Sequence, residues 1–206
     1  MTGLGRIGFR AGSYHGASVH VAARHRAARE RHSTHRYMNE LAKVSEQLAA
    51  LAELHRSLDA HGISYWLFGG WAVDFHVGRV TRTHDDLDIA VWLADGDRFA
   101  ELLASQGWTH TPEAGEDGYT VHARDGVRLE VAFLVRDERG SVYTPIRDGR
   151  AEWPGEAFGD ELAVLRSVQA RVIGRGALIA EKSVVRDDAS TAAKDVFDLA
   201  SLTPRE

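Results

Sequence analysis

The chain has 206 residues, 44% of them hydrophobic, with 25 basic and 30 acidic residues and a formal net charge of −5. That is long enough for one domain with a real core, and no apolar run approaches the eighteen or so residues that cross a membrane. Cysteine is absent, which excludes disulfides and thiolate metal sites and suits a reducing cytoplasm.

Charge is spread unevenly. Residues 1–37 carry seven arginines against the single acid Glu30, which leaves −11 on the rest of the chain. This basic, histidine-rich stretch has few large apolar residues and cannot bury enough surface to fold alone. It lacks the apolar centre of a secretory signal. It is expected to be a disordered or non-native extension, with the domain proper running over 38–206 from Met38. There the pattern changes: Leu41, Val44, Leu48, Leu51, Leu54 and Leu58 recur every three or four residues, the stripe of an amphipathic helix. Gly62 is its stop.

A first strand over Ile63–Phe68 ends at Gly69-Gly70, and a short helical segment follows. A glycine pair at a strand-to-helix turn lets backbone N–H groups approach an anion, which a helix N-terminus also favours. A basic patch, Arg79 and Arg82, leads to Asp86-Leu87-Asp88 within a second apolar run. Side chains alternate along a strand, so Asp86 and Asp88 point one way and Leu87, Ile89 and Val91 the other. Two adjacent like charges repel unless a cation sits between them. A divalent ion such as Mg²⁺, held by one or two carboxylates and completed by substrate phosphates, suits that arrangement.

Asp95 is placed to cap a helix over about Asp97 to Gln106, and a short strand is expected over Trp108–Thr111. Tyr119–Arg124 and Val127–Val135 flank Asp125-Gly126, a strong hairpin signal. On the second arm, Leu129, Val131, Phe133 and Val135 share one face, while Glu130 shares the other with Arg128 and Ala132. Residues 136–160 are polar and rich in turns. Trp153-Pro154 reads either as a cover over a ligand or as a packing aromatic. A strand over Val168–Ile173 and helices over about Ala177–Val184 and Thr191–Leu202 close the chain. Lys194 and Asp198 read as an ordinary i, i+4 helix pair.

The string Gly69-Gly70-Trp71-Ala72-Val73-Asp74, Gly78-Arg79, Thr81-Arg82 and His84-Asp85-Asp86-Leu87-Asp88-Ile89 resembles the aminoglycoside 2''-adenylyltransferase-like family, within the DNA polymerase β-like nucleotidyltransferase superfamily. The resemblance runs over roughly residues 63–200 and is dense in 66–92. It implies an α/β (α+β) nucleotidyltransferase fold with a mixed, largely antiparallel sheet and flanking helices. It also implies Mg²⁺, an ATP-like donor and a small hydroxyl-bearing acceptor. The superfamily places a third acid, often Asp, on a neighbouring strand; the match is Glu130, one methylene longer. By this resemblance Asp86 and Asp88 hold Mg²⁺, a second Mg²⁺ meets the acceptor oxygen, and Glu130 ligates it or accepts the hydroxyl proton. Glu130 pairing with Arg128 or Arg124 on the surface is the alternative. Gly69 and Gly70 seat phosphate oxygens. Arg82 neutralises the leaving pyrophosphate or forms a structural pair with Asp74 or Asp85. Lys182 reaches the triphosphate or serves locally. Asp85 has the wrong parity for the metal face, and His84 reads as a loop hydrogen-bonder.

A charge of −11 on the domain favours a cationic acceptor such as an aminoglycoside and disfavours nucleic acid. Other readings are a lincosamide acceptor, a toxin-type enzyme modifying tRNA or protein, and a non-catalytic nucleotide-binding partner. The last of these would go with a broken acid triad, and the triad is intact.

Overall fold

The structure is a computed structural model that describes the backbone of residues 15–203 and the side chains of residues 34–203. The expectation for residues 1–14 lies outside the described residues. The chain divides into two units, with the boundary between Ala42 and Lys43. In the first unit the described backbone belongs to helix α1 (His15–Ala60). The basic stretch is therefore helical from His15 on, in keeping with the strong helix propensity of its alanines and arginines.

The second unit holds the remainder of α1 and a sheet with helices around it. In chain order the elements are β1 (Tyr65–Phe68), α2 (Gly69–Val77), β2 (Leu87–Trp92), α3 (Gly96–Ser105), β3 (Thr109–His110), β4 (Tyr119–Arg124) and β5 (Val127–Arg136). Then come β6 (Val142–Ile146), β7 (Gly149–Glu152), β8 (Leu162–Leu165), β9 (Val168–Arg171), α4 (Arg175–Lys182) and α5 (Ala189–Leu202). The main sheet runs β1-β2-β5-β4-β3, with the β6–β7 hairpin continuing from the end of β5 and β8–β9 forming a separate hairpin. Among the strands of the described residues only β2 and β5 pair in parallel; their crossover carries α3, β3 and β4, the long connection that parallel strands require. This is the mixed, mostly antiparallel α/β architecture expected from the sequence.

The leucine stripe forms as read. Val44, Leu48, Leu51, Leu54 and Leu58 are buried, whereas Leu41 is exposed. They share a core with Tyr65, Leu67, Leu87, Ile89, Val91, Leu129 and Val131 from one face of β1, β2 and β5. At about 1.5–3 kcal/mol for each fully buried large apolar side chain, this face anchors the sheet. The opposite face at the start of β2 carries the acids: Asp88 lies opposite Phe68 on β1 and opposite Glu130 on β5. Asp86 sits one residue ahead of the strand rather than in it.

The β4–β5 hairpin closes through Asp125 and Gly126, both at positive φ (50° and 79°), the primed turn that Asp-Gly favours. Beyond Val131 the strict alternation fails: Ala132 and Leu134 are buried while Phe133 and Val135 are half-buried. There the strand leaves the core for the β6 edge, so one face no longer takes all the burial. β6 and β7 fall where only turns were expected. β8 also lay outside the reading; it turns into β9 through Arg166 and Ser167, both at positive φ (47° and 65°) with no glycine to mark the turn. Asp95 does not cap α3; its carboxylate accepts from Arg98 Nη1 at 2.8 Å. Trp153 packs edge-on against Phe68 and Phe158, with ring centroids 5.4 Å away in each case, and donates to Thr144 Oγ1 at 2.9 Å. Of its two readings, the packing one describes these contacts.

Candidate active site

β1 delivers the chain to α2 through Gly69, whose φ is +65°. A Cβ there would stand 2.0 Å from Asp88 Oδ2, so glycine is needed for Asp88 to lie against the turn. At Gly70 a Cβ would stand 2.4 Å from His84 Nδ1 and 2.5 Å from Arg82 Nη2. Gly69 thus gives room to Asp88 of β2, and Gly70 to side chains of the loop after α2. No side chain caps the N-terminus of α2, so its first-turn N–H groups have no capping acceptor.

That loop is pinned from below. Gly78 ends α2 in the left-handed conformation at φ 77°. The buried Asp74 accepts from Thr81 N at 2.9 Å, from Thr81 Oγ1 at 2.5 Å and from His84 Nε2 at 2.7 Å. His84 lies 4.6 Å from the Trp71 ring, and its carbonyl accepts from Gln47 Nε2 at 3.3 Å. His84 is the loop hydrogen-bonder its position suggested. Asp85 is held between Lys43 (3.2 Å) and Lys194 (2.8 Å), and the hydrogen bond from Lys194 draws its carboxyl below the usual range.

With the loop fixed, Asp86, Asp88 and Glu130 each bring a carboxylate oxygen within 4.8 Å of the other two, the one such acidic or histidine group among the described residues. Burial, followed by the neighbouring Asp86 and Glu130 charges, pushes the Asp88 carboxyl well above the ordinary range. Three oxygen donors whose mutual repulsion is incompletely relieved are a fitting set for a hard divalent cation. Arg128, on the same face of β5, donates to Glu130 at 2.5 Å and lies 3.8 Å from Asp86, while its other side grips Glu113. The Glu130–Arg128 pair and the three-acid cluster, set as alternatives by the sequence, therefore coexist.

The facing wall comes from α4 and α5. Arg82 makes a two-pronged contact with the fully buried Asp198 (2.9 and 2.8 Å), not with Asp74 or Asp85. Lys182 lies 3.0 Å from Asp195 and 3.4 Å from Asp198. Burial works against both cations, but Asp198 outweighs it at Arg82, and Glu181, Asp195 and Asp198 do so at Lys182, so each holds its proton more tightly than usual. Arg186 completes the chain of charges through Asp195 (2.9 Å) and Glu181 (2.7 Å). Lys194 turns to Asp85 rather than to Asp198, so the i, i+4 pairing is not formed. A cleft of about 290 Å³ is lined by both walls, with Gly70, Arg82, Asp86, Asp88, Glu130 and Lys182 among its residues. Thr191, Lys194 and Asp195 also line it and were not assigned a site role from sequence. The Lys194-Asp195 pair with Asp198 following was the available signal, but nothing local said which partner each would choose.

A strand, a glycine pair, a pinned loop and acids on two adjacent strands define a nucleotidyltransferase fold, and solved structures of that fold superpose on this one. The solution structure of antibiotic-resistance factor ANT(2'')-Ia matches with a TM-score of 0.60 at 16% identity, over 77% of this chain and 85% of that one. The lincomycin-bound crystal structure of the lincosamide antibiotic adenylyltransferase LnuA gives 0.59 at 19%, over 77% and 97%. The sequence is more specific: the aminoglycoside-2''-adenylyltransferase family model matches residues 50–184, and the chain belongs to that family. A 2''-aminoglycoside nucleotidyltransferase of Klebsiella pneumoniae is 38% identical over 58 residues, and one of Escherichia coli likewise. That match spans 28% of this chain and 31% of those relatives.

Proposed function

We propose that the chain transfers a nucleoside monophosphate, AMP from ATP, to a hydroxyl of a small polycationic sugar of the aminoglycoside type. The observation that carries this is the meeting of Asp86, Asp88 and Glu130 beside Gly69-Gly70, in a cleft whose other wall presents Arg82 and Lys182, each paired with a buried acid. Asp86, Asp88 and Glu130 fit Mg²⁺, in two ions on the superfamily's pattern, which when bound neutralises charge on the triphosphate and on the attacking and leaving oxygens. The chain's own residues do the rest. The α2 N–H groups at Gly69 and Gly70 seat phosphate oxygens. Glu130 takes the proton of the acceptor hydroxyl as its oxygen attacks the α-phosphorus. The bond from the α-phosphorus to the bridging oxygen breaks, and pyrophosphate leaves toward Arg82 and Lys182, whose charge stabilises it. The family and the −11 charge of residues 38–206 both favour a cationic acceptor.

A lincosamide is the second acceptor to test, because the fold superposes as well on a lincosamide adenylyltransferase. The deciding experiment is pyrophosphate release with Mg²⁺ and each of four nucleoside triphosphates against a panel of aminoglycosides and lincosamides. Turnover with one acceptor, lost in Asp86→Ala/Asp88→Ala, is expected. Silence across the panel with nucleotide still bound would remove the antibiotic acceptor from the account.

A further inference from the structure

Arg128 borders the carboxylate cluster, and the reaction just described leaves it without a task. It lies on β5 two positions before Glu130, on the same face of the sheet. Its guanidinium is shared three ways. Nη2 donates to Glu130 Oε1 at 2.5 Å and also reaches Glu113 Oε2 at 3.2 Å. Nη1 grips Glu113 Oε1, and Nε stands 3.8 Å from Asp86 Oδ2. Two of the three clustered carboxylates are thus partly neutralised by a side chain.

Glu113 is a fixed second anchor. It sits in the loop between β3 and β4, where Glu116 N donates to its carbonyl at 3.2 Å and its own N–H donates to Glu116 Oε1 at 3.3 Å. Glu116 in turn accepts from Val121 N on β4 at 3.2 Å. Arg128 already holds both oxygens of Glu113, so releasing Glu130 and Asp86 leaves its charge paired. A planar fork with five donors permits such sharing, and a lysine at this position would not.

We propose that Arg128 is the resident counter-cation of the carboxylate cluster: it competes with a divalent cation for Glu130 and Asp86, and withdraws onto Glu113 when the cation binds. This rests on the reading that Asp86, Asp88 and Glu130 hold the metal. A cation entering the cluster repels the guanidinium and takes its acceptors. The pair at Glu130 therefore lowers metal affinity and guards the three acids against their own repulsion. It also ties the freedom of Glu130 to the loading of the site.

The test is direct binding of Mn²⁺ alone to the full chain, by calorimetry or by the loss of the free Mn²⁺ paramagnetic signal, with Tm read beside it. Arg128→Met is expected to tighten Mn²⁺ binding about fivefold, the size of one partly exposed ion pair removed from competition. The same variant lowers Tm without Mn²⁺, and saturating Mn²⁺ restores it. Glu113→Gln removes the anchor that receives Arg128 and is expected to weaken Mn²⁺ binding about twofold. Should Arg128→Met not fold, Arg128→Lys, which reaches one carboxylate at a time, is expected to tighten binding in the same direction. Unchanged or weaker Mn²⁺ binding in the folded Arg128 variant would overturn the proposal and leave Arg128 as a clip on the Glu113 loop. Asp88→Asn separates the two readings. If it abolishes Mn²⁺ binding while Arg128→Met has no effect, the counter-cation inference alone fails; if Mn²⁺ binding survives Asp88→Asn, the metal reading beneath it fails.

Discussion

The two walls of the cleft solve opposite electrostatic problems. On the sheet side, Asp86, Asp88 and Glu130 crowd together with one shared arginine, and burial, then the neighbouring acids, pushes the Asp88 carboxyl above its ordinary range. On the helix side, Arg82, Lys182 and Arg186 alternate with Asp198, Asp195 and Glu181 in a chain of close pairs. One wall keeps unsatisfied charge available for something to bind; the other is internally balanced and stiff. A site for phosphoryl chemistry needs both: acids that gain on taking a cation, and cations held where they cannot collapse onto those acids.

Substitutions can break this contrast in a definite order. Asp88→Asn keeps the shape of the sheet wall and removes its central charge. Nucleotidyl transfer is expected to fall about 1,000-fold in kcat, while thermal unfolding shows the protein no less stable, because a strained buried charge has been removed. Asp198→Ala strikes the helix wall instead. It leaves Arg82 and Lys182 without their buried partner, and denaturant unfolding should show a loss of about 3 kcal/mol. If Asp198→Ala cost little, the helix wall would not be the rigid half. Gly69→Ala sits between the walls. The positive φ and the 2.0 Å approach to Asp88 predict a loss of about 2 kcal/mol and weaker Mn²⁺ binding together, measurable by unfolding and calorimetry.

The smallest effect concerns pH. Burial pushes the Glu181 carboxyl up, against the pull of Lys182 and Arg186. The folded state therefore holds this proton more tightly than the unfolded chain. Glu181 favours the fold below the ordinary value of 4.5, and that contribution is lost as pH rises through the folded value. Glu181→Gln should flatten the dependence of Tm on pH above 4.5 by about one or two degrees.

The two walls also differed in how far the sequence revealed them. The sheet wall was readable because strand geometry is local: the i, i+2 spacing of Asp86 and Asp88 and the Asp125-Gly126 hairpin fix which side chains share a face. Glu130 followed from its parity on β5 together with the third acid that the family resemblance implied, before its register opposite Asp88 was known. The helix wall was not readable. Arg82 finds Asp198 across 116 positions, and Lys194 abandons its helix neighbour Asp198 for Asp85 across 109. Such choices depend on where α5 docks, which no local pattern encodes. The β6–β7 hairpin escaped because Pro145 lies within one arm and the stretch as a whole reads polar. The β8–β9 turn uses Arg166 and Ser167 at positive φ, where sequence signals favour glycine or asparagine.

The most direct test of the account follows the phosphorus. ATP labelled at the α-phosphate and ATP labelled at the γ-phosphate would be incubated separately with the protein, Mg²⁺ and the aminoglycoside panel. The account predicts that the α label moves to the acceptor and the γ label leaves as pyrophosphate, both lost in Asp88→Asn. Transfer of the γ label to the acceptor, or α transfer that survives Asp88→Asn, would contradict it.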